Sequence, residues 1–158
     1  MINLAVCYAA RHKRLGSTAD LDESIVMYRS ALPLRPQEHP FRYVMLNNFA
    51  SELETRFHYS GMIMDLEESI SLDRAALALR PEGHVDRSVS LNNLAFCLWT
   101  RFQHDGRNED LDECIALNRA ALTLRPDGHP DRLLSLRSLA HSLSARFETA
   151  AYLMIWTS

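Results

Sequence analysis

The chain has 158 residues, of which 47% are hydrophobic and 23% charged, and its formal net charge is −3. This composition allows a packed core and argues against a disordered chain. The acidic balance disfavours nucleic acid as a partner, and no hydrophobic run is long enough to predict a membrane-spanning helix. Three cysteines are too few for a disulfide scaffold, which favours a cytoplasmic protein with free thiols.

A 45-residue period runs through the sequence. The segment 46–50 (Leu-Asn-Asn-Phe-Ala) returns in related form at 1–5, 91–95 and 136–140. The acidic segments 20–23, 65–68 and 110–113 and the Leu-Arg-Pro segments 34–36, 79–81 and 124–126 keep the same interval. The period predicts an array with units at about 1–40, 41–85 and 86–130, a partial unit at 131–148, and an apolar tail at 149–158 outside the pattern.

Taken in chain order, the units predict seven helices and an all-α fold. In the best-formed copy the first helix spans about residues 86–104, where Leu91, Leu94 and Leu98 form one hydrophobic stripe. First helices are expected to close at Gly16, Gly61 and Gly106. Second helices are expected to open with an N-cap aspartate, followed three residues later by glutamate, at Asp20, Asp65 and Asp110. They end at the Leu-Arg-Pro segments, and Pro33 is expected to tighten or fray the end of the first of them.

These columns resemble the tetratricopeptide repeat. The spacing of Leu91, Leu94, Ala95 and Leu98 matches the first-helix signature, while Cys114, Ala121 and Pro126 match the second helix. Asn118 departs from the aromatic residue usual in its column. The unit is longer than the signature's roughly 34 residues. The Asn-Asn motif and the His-Pro loop also resemble the long repeats of kinesin light chains and of fungal arrays associated with CHAT domains.

The resemblance implies a right-handed α-solenoid whose concave groove binds peptides or helical segments of partner proteins. At about 100° per residue, Asn92, Phe96 and Trp99 share one flank of their helix, and the resemblance turns this flank toward the groove. The groove candidates across the repeats are Asn47, Asn48, Ser51, Glu54, Asn92, Asn93, Phe96, Trp99, Arg137 and His141.

Several of these columns allow a second interpretation. The asparagines could pair with an extended peptide backbone, or they could cap or bridge neighbouring helices. Trp99 is either an aromatic anchor for a ligand or a packing residue between helices. A column of histidines, one per loop, is expected to brace the loops rather than to bind metal, and the cysteines are expected to pack. These columns hold His39, His84 and His129, and Cys7, Cys97 and Cys114.

Arginine also recurs in columns, which predicts ion pairs between repeats, with a phosphate-binding stripe as the weaker alternative. The three columns are Arg35, Arg80 and Arg125; Arg42, Arg87 and Arg132; and Arg56, Arg101 and Arg146.

The sequence contains no Gly-rich phosphate loop, zinc-protease motif or nucleophile elbow, so we expect a protein without enzymatic activity, cofactor or metal. The favoured function is a scaffold for protein–protein interaction. The alternative is a regulatory part of a larger enzyme, such as a CHAT-type peptidase or a nucleotide-binding switch; a gene fragment without a role of its own is a third possibility. Neither end carries the polar cap of a free solenoid, so we expect the rest of a longer protein, a partner or end-to-end self-association to cover the ends.

Overall fold

Helices dominate the computed structural model, which describes the backbone of residues 1–156 and the side chains of residues 1–151. The chain divides into two units, Met1–Pro81 and Glu82–Ser158. The first contains α1 (Ile2–Leu15), α2 (Thr18–Ala31), a short 3-10 helix (Leu32–Leu34), α3 (Arg42–Ser60) and α4 (Ile63–Ala78). The second contains α5 (Arg87–Asp105), α6 (Asn108–Thr123) and α7 (Arg132–Trp156). Over residues 1–156, the predicted all-α fold with seven α-helices is confirmed.

The core of the first unit is built from two helix pairs, α1 with α2 and α3 with α4, which meet where α2 packs on α3. Leu21 and Ile25 of α2 and Leu53 of α3 are almost fully buried there. The ring of Tyr28 stacks on Phe49 across the same junction, with 5.9 Å between the ring centroids. The hydrophobic stripes of α2 and α3 therefore cover one another at this junction, as the repeat pattern requires.

The second unit repeats this packing with α5, α6 and α7. Leu91, Leu94 and Leu98, the stripe predicted from the sequence, are buried against α6. On α7 two of the same three columns are exposed, since Leu136 is 42% and Leu143 40% accessible, while Leu139 is half-buried. No described helix packs on that side of α7. The backbone of the predicted tail continues α7 to Trp156, while the side chains after Ala151 lie outside the described residues.

The predicted helix ends are confirmed at the glycines. Gly16, Gly61 and Gly106 adopt left-handed φ values of 71°, 68° and 71° and close α1, α3 and α5. The N–H of Gly106 donates to the carbonyl oxygen of Phe102 at 2.7 Å, which satisfies one of the free carbonyls of the last turn. Pro33 lies in the short 3-10 helix that follows α2, so it tightens that end as expected.

The predicted N-cap aspartates are wrong. The caps of α2, α4 and α6 are Ser17, Met62 and Arg107, which places Asp20, Asp65 and Asp110 at the third helical position. In α2 the cap is Ser17, whose hydroxyl accepts from the backbone N–H of Asp20 at 3.3 Å. Each aspartate is held instead by an arginine nine residues earlier, on the preceding helix: Arg11, Arg56 and Arg101. These carboxylates therefore tie the two helices of one repeat together.

The loops between repeats are braced by the histidine column, as predicted. Nδ1 of His39, His84 and His129 accepts from a backbone N–H two residues later, at 3.1 Å in each case. Arginines at the start of the next helix also form hydrogen bonds to these loops. For example, Arg132 donates to the carbonyl oxygen of Arg125 at 2.5 Å. The arginine column of Arg56 also forms the predicted pairs between repeats: Arg56 reaches Asp22 at 3.2 Å, and Arg146 pairs with Asp112.

Candidate functional site

A cleft in the second unit brings together five of the ten predicted groove residues. Its volume is about 260 Å³. Asn92, Phe96 and Trp99 of α5 and Arg137 and His141 of α7 line it, and Ala95, Cys114, Asn118, Leu134 and Ser138 complete it. The α5 residues share one helix face, and α7 presents the equivalent face of the next repeat. Residues Cys114 and Asn118, one turn apart on α6, form the floor between them.

The wall of the cleft that α5 provides is aromatic. The side chain of Phe96 is 52% accessible, so its ring is open to a ligand. Trp99 is half-buried, and its ring lies 5.6 Å from the ring of Phe102. Trp99 thus contacts a neighbour on its own helix and also lines the cleft. The choice between an anchor for a ligand and a packing residue between helices stays a prediction.

The floor of the cleft carries a polar group without a hydrogen-bond partner. Asn118 is 2% accessible, and its Nδ2 donates to Sγ of Cys114 at 3.4 Å. Its amide oxygen accepts no hydrogen bond from the described residues. A buried acceptor left unpaired costs about 1–3 kcal/mol, so a donor that reached this oxygen would gain more than one bound at the surface.

The thiol in the floor is buried. Burial raises the pKa of Cys114 to about 11, which favours the neutral thiol at physiological pH. Because the thiolate is the nucleophilic form, this environment agrees with the expectation that the cysteine packs.

The rim of the cleft carries the positive charge of Arg137. Arg137 and His141 are both exposed, and none of the ten lining residues is acidic. Charged groups of a ligand at this rim would meet cationic and polar partners only, which favours acidic groups there.

Asn92 bridges helices at one end of the cleft. Its amide oxygen is assigned toward the guanidinium of Arg125, because the opposite orientation would set its N–H groups against donors. Arg125 is 2% accessible and donates to the hydroxyls of Ser88 and Ser135 at 3.2 and 2.7 Å. The asparagine thus belongs to a buried network that joins the start of α5, the end of α6 and the start of α7.

The predicted groove residues of the first unit lie in different surroundings. Asn47 is buried and donates to Asp73 at 2.7 Å, which joins α3 to α4. Glu54 is half-buried and pairs with His58 one turn away. Asn48 and Ser51 are exposed and line a second cleft of about 170 Å³. Asn93 in the second unit is half-buried and does not line either cleft.

The second cleft is the counterpart of the first, displaced by two repeats in the sequence. Val6 takes the place of Phe96, Tyr28 that of Asn118, and Ser51 that of His141. Sequence reasoning did not predict that Cys114 and Asn118 form the floor of the cleft in the second unit. Its one usable signal was that Asn118 departs from the aromatic residue usual in its column.

A buried acid distinguishes the cleft of the first unit. Glu52 lines it and is 2% accessible. One carboxylate oxygen lies 3.9 Å from Nζ of Lys13, beyond hydrogen-bond distance, and the other has no hydrogen-bond partner among the described residues. Burial raises the pKa of Glu52, while the charges of Lys13 and His12 oppose this shift.

No group of three or more histidine, cysteine or acidic side chains in the described part of the chain could hold a metal ion. None of the helices in that part combines the length and the hydrophobicity needed to cross a bilayer.

Comparison with known proteins adds one finding. No curated protein matches the chain. A family model described as the tetratricopeptide repeat matches residues 88–131, which span most of α5, all of α6 and the loop to α7. This match supports a tetratricopeptide repeat protein, in agreement with the all-helical fold.

Proposed function

We propose that the chain is a protein-interaction module that binds a peptide segment of a partner protein in the cleft of the second unit. Tetratricopeptide repeats are generally modules for protein–protein interaction. The observation that carries the finer proposal is the composition of this cleft: an aromatic wall on α5, a buried acceptor in the floor and a cationic residue at the rim.

The size of the cleft favours a peptide over a small molecule. Pockets for small ligands commonly measure about 300–1,000 Å³ and enclose most of the ligand. At about 260 Å³ and with an exposed rim, this cleft accommodates a single large side chain. The apolar part of that side chain would lie between Phe96 and Trp99, and acidic residues beside it would face Arg137.

The asparagines contribute indirectly in this proposal. Asn92 holds the buried Arg125, and Asn47 holds Asp73, so both amides already have partners within their unit. A direct role of either amide on a peptide backbone stays a prediction from the resemblance. The contacts that we propose come from Phe96, Trp99 and Arg137.

Peptide selection followed by titration tests the proposal. Peptides selected from a displayed library on the immobilised chain are measured against Phe96→Ser, since serine stands at the equivalent position 51. Truncating a central aromatic contact commonly costs about 2 kcal/mol or more, so we expect affinity to fall roughly thirtyfold. The matched control is Tyr59→Ser, which removes another exposed aromatic side chain in the other unit. If Phe96→Ser binds every selected peptide as wild type does, the cleft is not the binding site.

Three further expectations remain predictions. A sensor role within a larger enzyme rests on the resemblance to fungal arrays, and the neighbouring coding sequence tests it. A cytoplasmic location is tested by imaging the tagged protein. Self-association would bury the exposed hydrophobic residues Leu136 and Leu143 of α7, and sedimentation at increasing concentration tests it.

A further inference from the structure

We propose that the cleft of the first unit is a binding site for a cationic side chain, lysine or arginine, of a bound partner, with Glu52 as the anionic group that receives it. This site lies in a different unit from the peptide cleft proposed above and is independent of it.

The repeat itself provides the comparison that singles out Glu52. The same column holds Cys7, Cys97 and Ser142 in the other copies, and both Cys97 and Ser142 are buried. The fold therefore accepts a small, uncharged residue at this position. A buried carboxylate costs stability unless it is well paired, so its presence in one copy requires a reason other than packing.

The pairing of Glu52 within the chain is incomplete. Lys13, the cation of its ion pair, stays 3.9 Å away, and the lysine side chain is 67% accessible. The charge of His12 also favours the carboxylate, but less than that of Lys13. The second carboxylate oxygen is buried without a partner. A carboxylate can accept several hydrogen bonds, and an ammonium or guanidinium group supplies three or more donors. An incoming cation would complete the pairing that Lys13 leaves open.

The remaining lining of the cleft suits the stem of such a side chain. Val6, Ala9 and Ala10 of α1 provide a hydrophobic wall, and the methylene groups of lysine and arginine pack on surfaces of this kind. Asn48 and Ser51 at the exposed edge offer polar groups to the neighbouring peptide backbone. A volume of about 170 Å³ matches one extended side chain and little more.

Small cations test the site directly, using the full chain. The probes are n-butylammonium and n-butylguanidinium, with n-butanol as the uncharged control of similar shape, and the readout is the methyl NMR signals of Val6 in the cleft. We expect both cations to produce a saturable shift, and we expect butanol to produce at most a small one. Glu52→Gln should abolish saturation by the cations. An equal response to butanol, or a cation response that survives in Glu52→Gln, would overturn the proposal.

Two further variants separate binding from folding. Lys13→Ala removes the competing internal cation, so we expect it to tighten binding of butylammonium several-fold; unchanged or weaker binding would contradict the inference. Glu52→Cys restores the residue of two other copies, and we expect it to melt no lower than wild type while it loses the cation response. A lower melting temperature would mean that Glu52 serves the fold, which also contradicts the proposal.

Discussion

Asp110→Asn separates two explanations of the acidic column. If Asp110 capped α6, asparagine would replace it without loss, because the two residues are equally good N-caps. In the structure its carboxylate instead accepts from Nε and Nη2 of Arg101, at 2.7 Å for each bond. The aspartate is 4% accessible, and the arginine side chain is 15% accessible. We therefore expect asparagine at this position to destabilise the second unit.

The expected loss follows from the two bonds. A hydrogen bond to a charged group contributes about 1.5–3 kcal/mol. Asparagine keeps one acceptor, but it removes the negative charge and turns N–H groups toward a guanidinium that can only donate. We expect a loss of about 2 kcal/mol, which shifts a urea midpoint by about 1 M at an m-value near 2 kcal/mol/M.

Urea unfolding followed by tryptophan fluorescence measures this loss. The chain has two tryptophans, so a Trp156→Phe background leaves Trp99, in the same unit, as the reporter. The control is Asp112→Asn on the same helix, whose exposed pair with Arg146 should contribute less than about 1 kcal/mol. A double-mutant cycle with Arg101→Met isolates the pair. If Asp110→Asn unfolds within about 0.5 kcal/mol of Asp112→Asn, the ion pair does not hold the helices.

The remaining predictions concern a charge and a backbone angle. Burial raises the pKa of Glu52, so between the ordinary glutamate value and the raised one the folded state binds more protons, and stability falls as pH rises. In thermal melts across this range, the melting temperature of Glu52→Gln relative to that of wild type should rise as pH increases. A difference that does not change with pH would argue against a raised pKa. Gly106→Ala should cost about 1–2 kcal/mol by urea unfolding, because alanine is strained at φ 71° although its Cβ would meet no atom within 4 Å. A neutral result would mean that α5 can end in another conformation.

The helices and their glycine ends could be predicted because each depends on residues close in sequence. The stripe of Leu91, Leu94 and Leu98 shows the helix period, and Gly106 shows where the helix ends. Four copies of the stripe and three copies of the glycine, all in one register, reinforced these local signals.

The details that failed or stayed open depend on neighbours in other helices. In the sequence, an aspartate three residues before a glutamate has the same pattern whether it caps a helix or stands at the third helical position. The role of Asp110 becomes clear only from its pairing with Arg101 on the preceding helix. The role of Asn47 likewise depends on Asp73 of the next helix. Glu52 is different, because the sequence alone shows that it is the one acid in a column of small residues. A comparison of the repeats column by column would have detected it, whereas a search for motifs does not.

The double pairing of Arg56 has a consequence for how such a chain can change in length. This arginine joins Asp65 of its own repeat and Asp22 of the repeat before it. Loss of residues 46–90, which is one repeat in register, would bring Arg101 to the position of Arg56, with Asp22 and Asp110 at the same spacing as the two acids that Arg56 joins. Unequal recombination could therefore remove or insert whole repeats, and a junction formed in this way would already contain the acids for its ion pairs. Variation in repeat number among related genes would then be gradual and tolerated, and selection could act on the clefts that each new copy brings.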